Sequence, residues 1–178
     1  MGGKKQLVPF HTAAGDQPLV AAAYDSIAPI CEQMVVVVGY EAEAVAAALG
    51  ERKFERALGD ADEPMFESIR TGLRAVRRLD PKAYVVLQPG DHPQVSAATL
   101  ELLRDWSLKR PVRAVIPEYG GRGGHPVLIP PDLAAQLALT ECPDGLGQFW
   151  LDHPELCERV AVDDAGVLRD IDTPADLD

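Results

Sequence analysis

The sequence is poor in cysteine and in long apolar runs, and each shortage excludes a class of protein. Its three cysteines, Cys31, Cys142 and Cys157, are odd in number and widely spaced, which fits neither a disulfide framework nor a zinc pattern. No apolar run approaches the length of a membrane span, and no apolar core of a signal peptide follows the basic first residues. We therefore expect a protein of the reducing cytoplasm with no membrane association.

Positive charge is also scarce. Lys and Arg number 17 against 28 Asp and Glu, so the formal net charge is −11. So acidic a protein is a poor binder of nucleic acid or of anionic lipid surfaces. A nucleotide site would need local cations, main-chain N–H groups or a metal ion to offset this repulsion. The chain has no complete GxGxxG or Walker A loop, and no Ser/His/Asp or Cys/His order indicates nucleophilic catalysis.

What the sequence does contain is an alternation of short apolar runs and helical stretches over its 178 residues. The predicted strands are 34–38, 53–58, 83–87, 112–116, 127–129, 159–162 and 167–170. The predicted helices are 18–30, 41–49, 64–79, 96–109, 131–139 and 146–151. This alternation predicts a single α/β domain, residues 1–178, with a mostly parallel sheet.

The most informative stretch is residues 83–93, in which an apolar run ends in Pro89-Gly90-Asp91-His92-Pro93. The run predicts a buried parallel strand, and the turn places Asp91 at its carboxyl end, where ligands bind in open α/β sheets. A carboxylate fixed there suits a hard cation such as Mg²⁺ that carries a phosphate. The alternative is a surface carboxylate that caps the helix beginning near Ser96, and the spacing favours neither.

Two other segments combine glycines with basic residues. The first, Met1-Gly2-Gly3-Lys4-Lys5, has the composition of an electrostatic clamp for phosphates, although such a stretch is more often a solvated terminus. The second, residues 120–126, has four glycines that let the backbone approach a ligand closely, while Arg122 and His125 add donors. A flexible hairpin tip with an incidental histidine is an equally good interpretation.

An acidic pair lies near the carboxyl end of the chain. Alternation puts Asp170 and Asp172 on one face if this segment is extended, so the two carboxylates could complete a metal site. The other interpretation is a helix cap, with Thr173 at the N-cap and Pro174 at the first position of a final helical turn. Both can hold together, because a cap can orient a ligand.

Taken in order, these segments resemble the MobA-like nucleotidyltransferases, particularly the molybdenum-cofactor cytidylyltransferase branch. Six motifs of that family follow one another over nearly the whole chain, and each is weak alone. They are Met-Gly-x-x-Lys-Gln-Leu-x-Pro at 1–9, Val-Val-Gly at 37–39, Ser-Ile-x-x-Gly-Leu at 68–73, Gly-Asp-x-Pro at 90–93, Gly-His-Pro at 124–126 and Asp-Ile-Asp-Thr-Pro-x-Asp-Leu at 170–177.

The resemblance implies a Rossmann-like three-layer sandwich that transfers a nucleotidyl group, CMP rather than GMP, from an NTP to a phosphorylated acceptor such as molybdopterin, with loss of pyrophosphate. In that case Lys5 and Asp91 are catalytic: Lys5 neutralises the triphosphate, and Asp91 holds Mg²⁺ together with Asp170 or Asp172. The implied nucleotide-binding residues are Gly2, Gly3, Lys5, Ser68 and Gly90. Gly124 and His125 would shape the acceptor side.

The chain departs from the family at its beginning. Family members open with an apolar strand and a Leu-Ala-Ala-Gly loop ahead of Arg-Met-Gly, whereas this sequence starts at that Met, so the first strand and most of the phosphate loop are missing from it. One interpretation is a start that lies upstream; the other is a catalytically silent nucleotide- or pterin-binding module. Either way we expect weak nucleotide binding and strand edges open to self-association. Pro64 also stands where the family usually has Gly.

Overall fold

The computed structural model describes residues 5–13 and 15–172. Its strands are β1 (Pro9–Thr12), β2 (Gly15–Pro18), β3 (Val35–Val38), β4 (Glu55–Leu58), β5 (Val85–Leu87), β6 (Ala114–Tyr119), β7 (Arg122–Gly123), β8 (Val127–Ile129) and β9 (Cys157–Ala161). Its α-helices are α1 (Leu19–Ile27), α2 (Ala42–Ala48), α3 (Met65–Leu79), α4 (Ala97–Lys109), α5 (Pro131–Leu137) and α6 (Gly145–Asp152). Among the described residues, no helix is both long and apolar enough to cross a bilayer.

Within the described residues, the strands pair in three separate groups. β1 and β2 form an antiparallel hairpin, β3 and β4 a parallel pair, and a larger sheet has the order β5-β8-β6-β7 with β9 also on β6. Since β5 and β6 both pair antiparallel with β8, they run in the same direction, and β9 is parallel to β6. The predicted α/β class with its Rossmann-like parallel strands is therefore confirmed.

Helices cover both faces of the larger sheet. Successive residues of β6 point to opposite faces, so each face presents apolar side chains to a helical layer. Ile116 packs with Leu73 of α3 and Phe149 of α6 in the largest apolar cluster. Val115, its neighbour, packs with Leu103 of α4 on the opposite face. Residue 91 follows β5 at the carboxyl end of that strand.

Two predictions of local structure were wrong. Residues 9–18 form the hairpin β1–β2, which was not predicted; its second strand begins at Gly15, whose φ of 112° suits glycine. Residues 167–170 were predicted as a strand, but Ala165–Leu168 is a 3-10 turn. The turn forms because the side chain of Asp164 accepts a hydrogen bond from the Gly166 N–H at 3.0 Å, which curls the backbone locally.

Candidate active site

Lys5 joins two carboxylates that lie far away from it in the sequence. It begins a 3-10 turn, Lys5–Leu7, and its Nζ donates to Asp91 Oδ2 at 2.8 Å. The same Nζ donates to Asp172 Oδ1. The Lys5 side chain is 14% exposed and that of Asp172 is 65% exposed, so the ammonium is largely enclosed while one of its partners faces solvent. The structure thus brings together three of the predicted site residues.

These contacts shift the pKa values of the groups that make them. Burial is the largest single influence on Lys5 and works to lower its pKa, but the hydrogen bonds to Asp172 and Asp91 outweigh it, so the pKa of Lys5 is raised. The pKa of the Asp172 carboxyl is lowered, chiefly because Lys5 donates a hydrogen bond to it. Lys5 is therefore held as a cation, which is the form that binds phosphate.

Main-chain contacts fix Asp91 and the acidic segment against each other. Asp91 follows β5 in a turn that is closed by a hydrogen bond from the His92 N–H to the Pro89 carbonyl at 3.3 Å. The carbonyl of Asp91 accepts from the Ile171 N–H at 3.1 Å. The side chain of Ile171 is fully buried, and it packs with a cluster that includes Leu19 of α1. Asp170 and Asp172 flank this anchored residue, and both are exposed.

The structure decides against the capping interpretation of Asp91. The N-cap of α4 is Ser96, as its sequence position predicts, and its Oγ accepts from the Thr99 N–H at 3.2 Å. A second carboxylate supports this cap, because Asp164 Oδ2 accepts from the Ser96 N–H at 2.9 Å and from Thr99 Oγ1 at 2.8 Å. Asp91 is thus left to face Lys5. Thr173 and Pro174, like Gly2 and Gly3, lie outside the described residues.

A pair of histidines lies beside Asp91. His92 Nε2 is 3.8 Å from Asp91 Oδ1, and the His92 and His125 rings meet edge to face with their centroids 5.1 Å apart. Burial, with a smaller contribution from His92, lowers the pKa of His125 to about 4. Burial also lowers the pKa of His92, against the opposing charge of Asp91. Both rings are therefore neutral at pH 7.

Gly124 makes a close backbone approach, but to the chain itself. A Cβ built on Gly124 would lie 2.3 Å from the Val167 carbonyl oxygen, and that oxygen accepts from the His125 N–H at 2.8 Å. The glycine-rich segment was predicted to let a ligand approach closely. In the structure Gly124 lets the 3-10 turn pack against it at Val167, and its approach to a ligand stays a prediction. Arg122 lies exposed in β7.

Two further predicted nucleotide-binding residues, Ser68 and Gly90, lie on one large cavity. Ser68, in the first turn of α3, faces Gly59, where a built Cβ would be 3.3 Å from its Oγ. Ser68, Gly90, Gly124 and His125 all line this cavity.

Gln88 and His92 were given no role by the sequence analysis. Within the described ranges, Gln88 Oε1, His92 Nδ1 and His125 Nδ1 are buried without a hydrogen-bond partner. Buried polar atoms are normally paired, so these three are available to a ligand. The signal was present in the sequence, since Gln88 and His92 flank the Pro-Gly-Asp turn.

A preformed cluster of metal ligands is not part of this arrangement. Across residues 5–13 and 15–172, no group of three or more His, Cys, Asp or Glu side chains is disposed to hold a metal ion. Instead, the Lys5 ammonium contacts Asp91 and Asp172 together. Two carboxylates that contact one cation have the chemistry a hard divalent ion requires, so the donor set fits such an ion. The metal assignment of Asp91, Asp170 and Asp172 stays a prediction.

Solved structures similar to this chain include nucleotidyltransferases and mycobacterial proteins. Rv0371c from Mycobacterium tuberculosis H37Rv is 27% identical, with a TM-score of 0.81 over 99% of this chain and 88% of that one. Its manganese complex is 26% identical, with a TM-score of 0.77 over 98% and 90%. A nucleotidyl transferase from Methanothermobacter thermautotroptrophicus (Mth528), 21% identical with a TM-score of 0.69 over 97% and 77%, shares the fold.

The match to a protein family agrees with the site. No curated protein matches the chain. Residues 1–156 match the MobA-like NTP transferase domain, and that range includes Lys5, Asp91 and His125. The resemblance inferred from the six motifs is thereby confirmed. The chain belongs to the MobA-like NTP transferase family, and it is a nucleotidyltransferase.

Proposed function

We propose that this chain transfers CMP, rather than GMP, from the corresponding NTP to a phosphorylated acceptor such as molybdopterin, in the cytoplasm. The observation that carries the proposal is the contact of Lys5 with Asp91 and Asp172 at the carboxyl end of β5. It sets a charged ammonium and two carboxylates at the edge where ligands bind in open α/β sheets. The choice of CMP rests on the resemblance to the cytidylyltransferase branch, and the choice of a pterin acceptor rests on the Gly-His-Pro and Asp-Ile-Asp-Thr-Pro motifs.

The reaction follows from positioning and charge. An oxygen of the acceptor phosphate attacks the α-phosphorus of the NTP, and the new P–O bond forms as the bond to pyrophosphate breaks. Lys5 binds and neutralises the triphosphate, an interaction worth most in an enclosed site. Asp91, Asp170 and Asp172 would hold Mg²⁺, which supplies neutralisation of the charge on the phosphates. The solved manganese complex of Rv0371c supports a divalent ion in this fold.

The acceptor side is assigned to Gly124 and His125. The neutral His125 ring and the Gln88 amide present buried atoms that lack partners among the described residues. The Nε2–H of His125 is assigned to the Leu87 carbonyl, since the ring hydrogen-bonds to that backbone, so its Nδ1 and the Gln88 Oε1 are acceptors. A ligand with N–H groups, such as a pterin ring, would satisfy them. Ser68, Gly90, Gly2 and Gly3 are assigned to the nucleotide.

The first test measures pyrophosphate release with CTP, GTP and ATP in turn, in the presence of Mg²⁺ and a phosphorylated pterin. We expect release with CTP, reduced about 10- to 1,000-fold by Lys5→Gln because one stabilising cation is lost. Lys82→Gln, at an exposed lysine, is the matched control and should leave the rate unchanged. Equal rates for the Lys5 and Lys82 variants would contradict the assignment. Nucleotide binding without release would favour the silent binding module.

The second test separates metal binding from nucleotide binding. Because the Lys5 ammonium competes for the carboxylates, Lys5→Gln should tighten the binding of Mn²⁺ alone while it weakens the binding of CTP. Asp91→Asn should weaken both. Electron paramagnetic resonance titration with Mn²⁺ measures the first quantity and calorimetry the second. Mn²⁺ affinity unaltered by Asp91→Asn would remove that carboxylate from the metal site.

A further inference from the structure

One arginine of the larger sheet lies on the cavity that contains the predicted nucleotide and acceptor residues. Arg159 belongs to β9, and it lines this cavity together with Gly123, Gly124 and His125. The cavity has a volume of about 1350 Å³, which exceeds the roughly 300–1,000 Å³ of an ordinary small-molecule site. It therefore has room for a nucleotide and a second ligand together. The sequence analysis gave Arg159 no role.

The register of the strands fixes the face of the sheet on which Arg159 lies. β9 is parallel to β6, and Arg159 is the register partner of Ile116, so the two side chains lie on the same face. A Cβ built on Gly123 would be 3.2 Å from Arg159 Nη1 and 3.3 Å from Ile116 Cγ2. The guanidinium therefore lies against Gly123, at a point where a side chain would crowd it.

Cations are scarce on the walls of this cavity. Within the described residues, its lining includes two arginines, Arg104 and Arg159, and no lysine. Arg104 belongs to α4, and that helix packs on the opposite face of the sheet from Ile116. Of the lining cations, Arg159 is thus the one that lies against the glycine-rich segment. In a protein with a formal net charge of −11, such a cation is what an anionic ligand needs.

The ion pair that Arg159 makes is long and involves one atom of each partner. Its Nη1 is 3.5 Å from Glu118 Oε2, which is beyond the ordinary range of a hydrogen bond. Among the residues that the structure describes, the guanidinium has no other hydrogen-bond partner. Arg52, by contrast, donates to both oxygens of Asp25, at 2.7 and 2.6 Å. The paired donors with which a guanidinium binds a phosphate are therefore available on Arg159.

Arg159 is also close to the residues assigned to the acceptor. Gly123, against which its guanidinium lies, is two residues from His125, so the Cα atoms of these two residues are at most about 7.6 Å apart. The ring of the acceptor was assigned to His125 and Gln88. A phosphate on the same small molecule would thus be within reach of Arg159.

From these observations we propose that Arg159 binds the phosphate of the acceptor, an inference that rests on the proposed function. The guanidinium leaves Glu118 and donates to two phosphate oxygens, while a third oxygen stays free to attack the α-phosphorus of the NTP. Arg159 thereby selects a phosphorylated acceptor over the same molecule without its phosphate.

The test compares two ligands that differ by one phosphate. Calorimetry measures the affinity for a phosphorylated pterin and for the same pterin without phosphate, and a ³¹P NMR titration measures the affinity for inorganic phosphate. The variants are Arg159→Gln and Glu118→Gln. The matched control is Arg113→Gln, which removes the same charge from an arginine that pairs with Glu158 at 3.1 Å. All of these proteins keep Lys5, so phosphate binding there cancels in the comparison.

We expect Arg159→Gln to weaken the binding of the phosphorylated pterin and of inorganic phosphate about tenfold or more, and to leave the pterin without phosphate unchanged. Glu118→Gln should tighten both phosphate ligands about two- to fivefold, because a competing ion pair is lost. Were the pair of Arg159 and Glu118 merely structural, its two variants would act in the same direction. Arg113→Gln should behave like the wild type.

Equal affinities of the Arg159 and Arg113 variants for both phosphate ligands would overturn the proposal. So would an equal loss of affinity for the two pterins, or no measurable binding of either phosphate ligand to the wild type. If neither pterin binds while inorganic phosphate still depends on Arg159, the phosphate site is supported and the pterin acceptor of the proposed function is rejected. These measurements need no turnover, so a lack of pyrophosphate release with CTP would reject the transfer reaction separately.

Discussion

Replacing Gly124 by alanine should destabilise the fold, because the single added Cβ atom would collide with Val167. The added Cβ would lie 2.3 Å from the Val167 carbonyl oxygen and 3.0 Å from Val167 Cγ2. Contacts below 3.0 Å are essentially never observed for real Cβ atoms, so the carbonyl must withdraw by about 0.7 Å, the difference between 3.0 and 2.3. That oxygen accepts the His125 N–H at 2.8 Å. A withdrawal of this size takes the hydrogen bond beyond its ordinary range.

The size of the effect follows from what is lost. A buried N–H left without a partner costs about 1–3 kcal/mol, and strain in the displaced 3-10 turn adds to it. We expect the free energy of unfolding to fall by about 2–4 kcal/mol. With an m-value of about 2 kcal/mol/M, this lowers the urea midpoint by roughly 1–2 M.

Urea unfolding followed by circular dichroism measures this loss. Gly147→Ala is the matched control, because Gly147 lies in α6 and nothing is within 4 Å of its built Cβ. There alanine should stabilise the helix by about 0.5–1 kcal/mol. If the two variants had the same midpoint, the packing of Val167 against Gly124 would not constrain the fold, and the argument would be refuted.

Further predictions concern pH. Burial works to raise the pKa of Asp164, but the hydrogen bonds from Ser96, Thr99 and Gly166 outweigh it and lower the pKa. Asp164→Asn should therefore lower the free energy of unfolding by about 1 kcal/mol at pH 7. The difference between the variant and the wild type should vanish as the pH falls below about 4 and through the pKa of Asp164 in the folded protein. Urea titrations of both proteins at pH 7 and below pH 3 check this. Since the folded pKa of His125 is about 4, the unfolded chain takes up the proton first as the pH falls below about 6.5. Wild-type stability should fall between pH 6.5 and 4, and His125→Gln should flatten that fall; an equal slope in the variant would contradict the assignment.

Most of the fold could be predicted from the sequence because its strands and helices have strong local patterns. The run of valines at Val35–Val38 and the period of apolar residues in Met65–Leu79 define their elements without help from the rest of the chain. The same is true of Ser96 as a cap. The hairpin β1–β2 was missed because its strands have few apolar residues, with the patterns Pro-Phe-His-Thr and Gly-Asp-Gln-Pro.

The sequence predicts which residues form the candidate site, but it predicts only part of how those residues contact one another. The motifs identify Lys5, Asp91 and Asp172, yet the contact of one ammonium with both carboxylates depends on the burial of Ile171 beneath β1, which local patterns do not determine. The ligand approach predicted for Gly124 stays a prediction, and its close packing against Val167 was not predicted. Tertiary packing decides such contacts.

The ion pair between Lys5 and Asp172 joins positions that are 167 residues apart. The contact therefore closes a long loop of the chain, and the hydrogen bond from the Ile171 N–H to the Asp91 carbonyl closes a shorter one within it. Local opening of the segment around Ile171 should separate Lys5 from Asp172 while the central sheet stays folded.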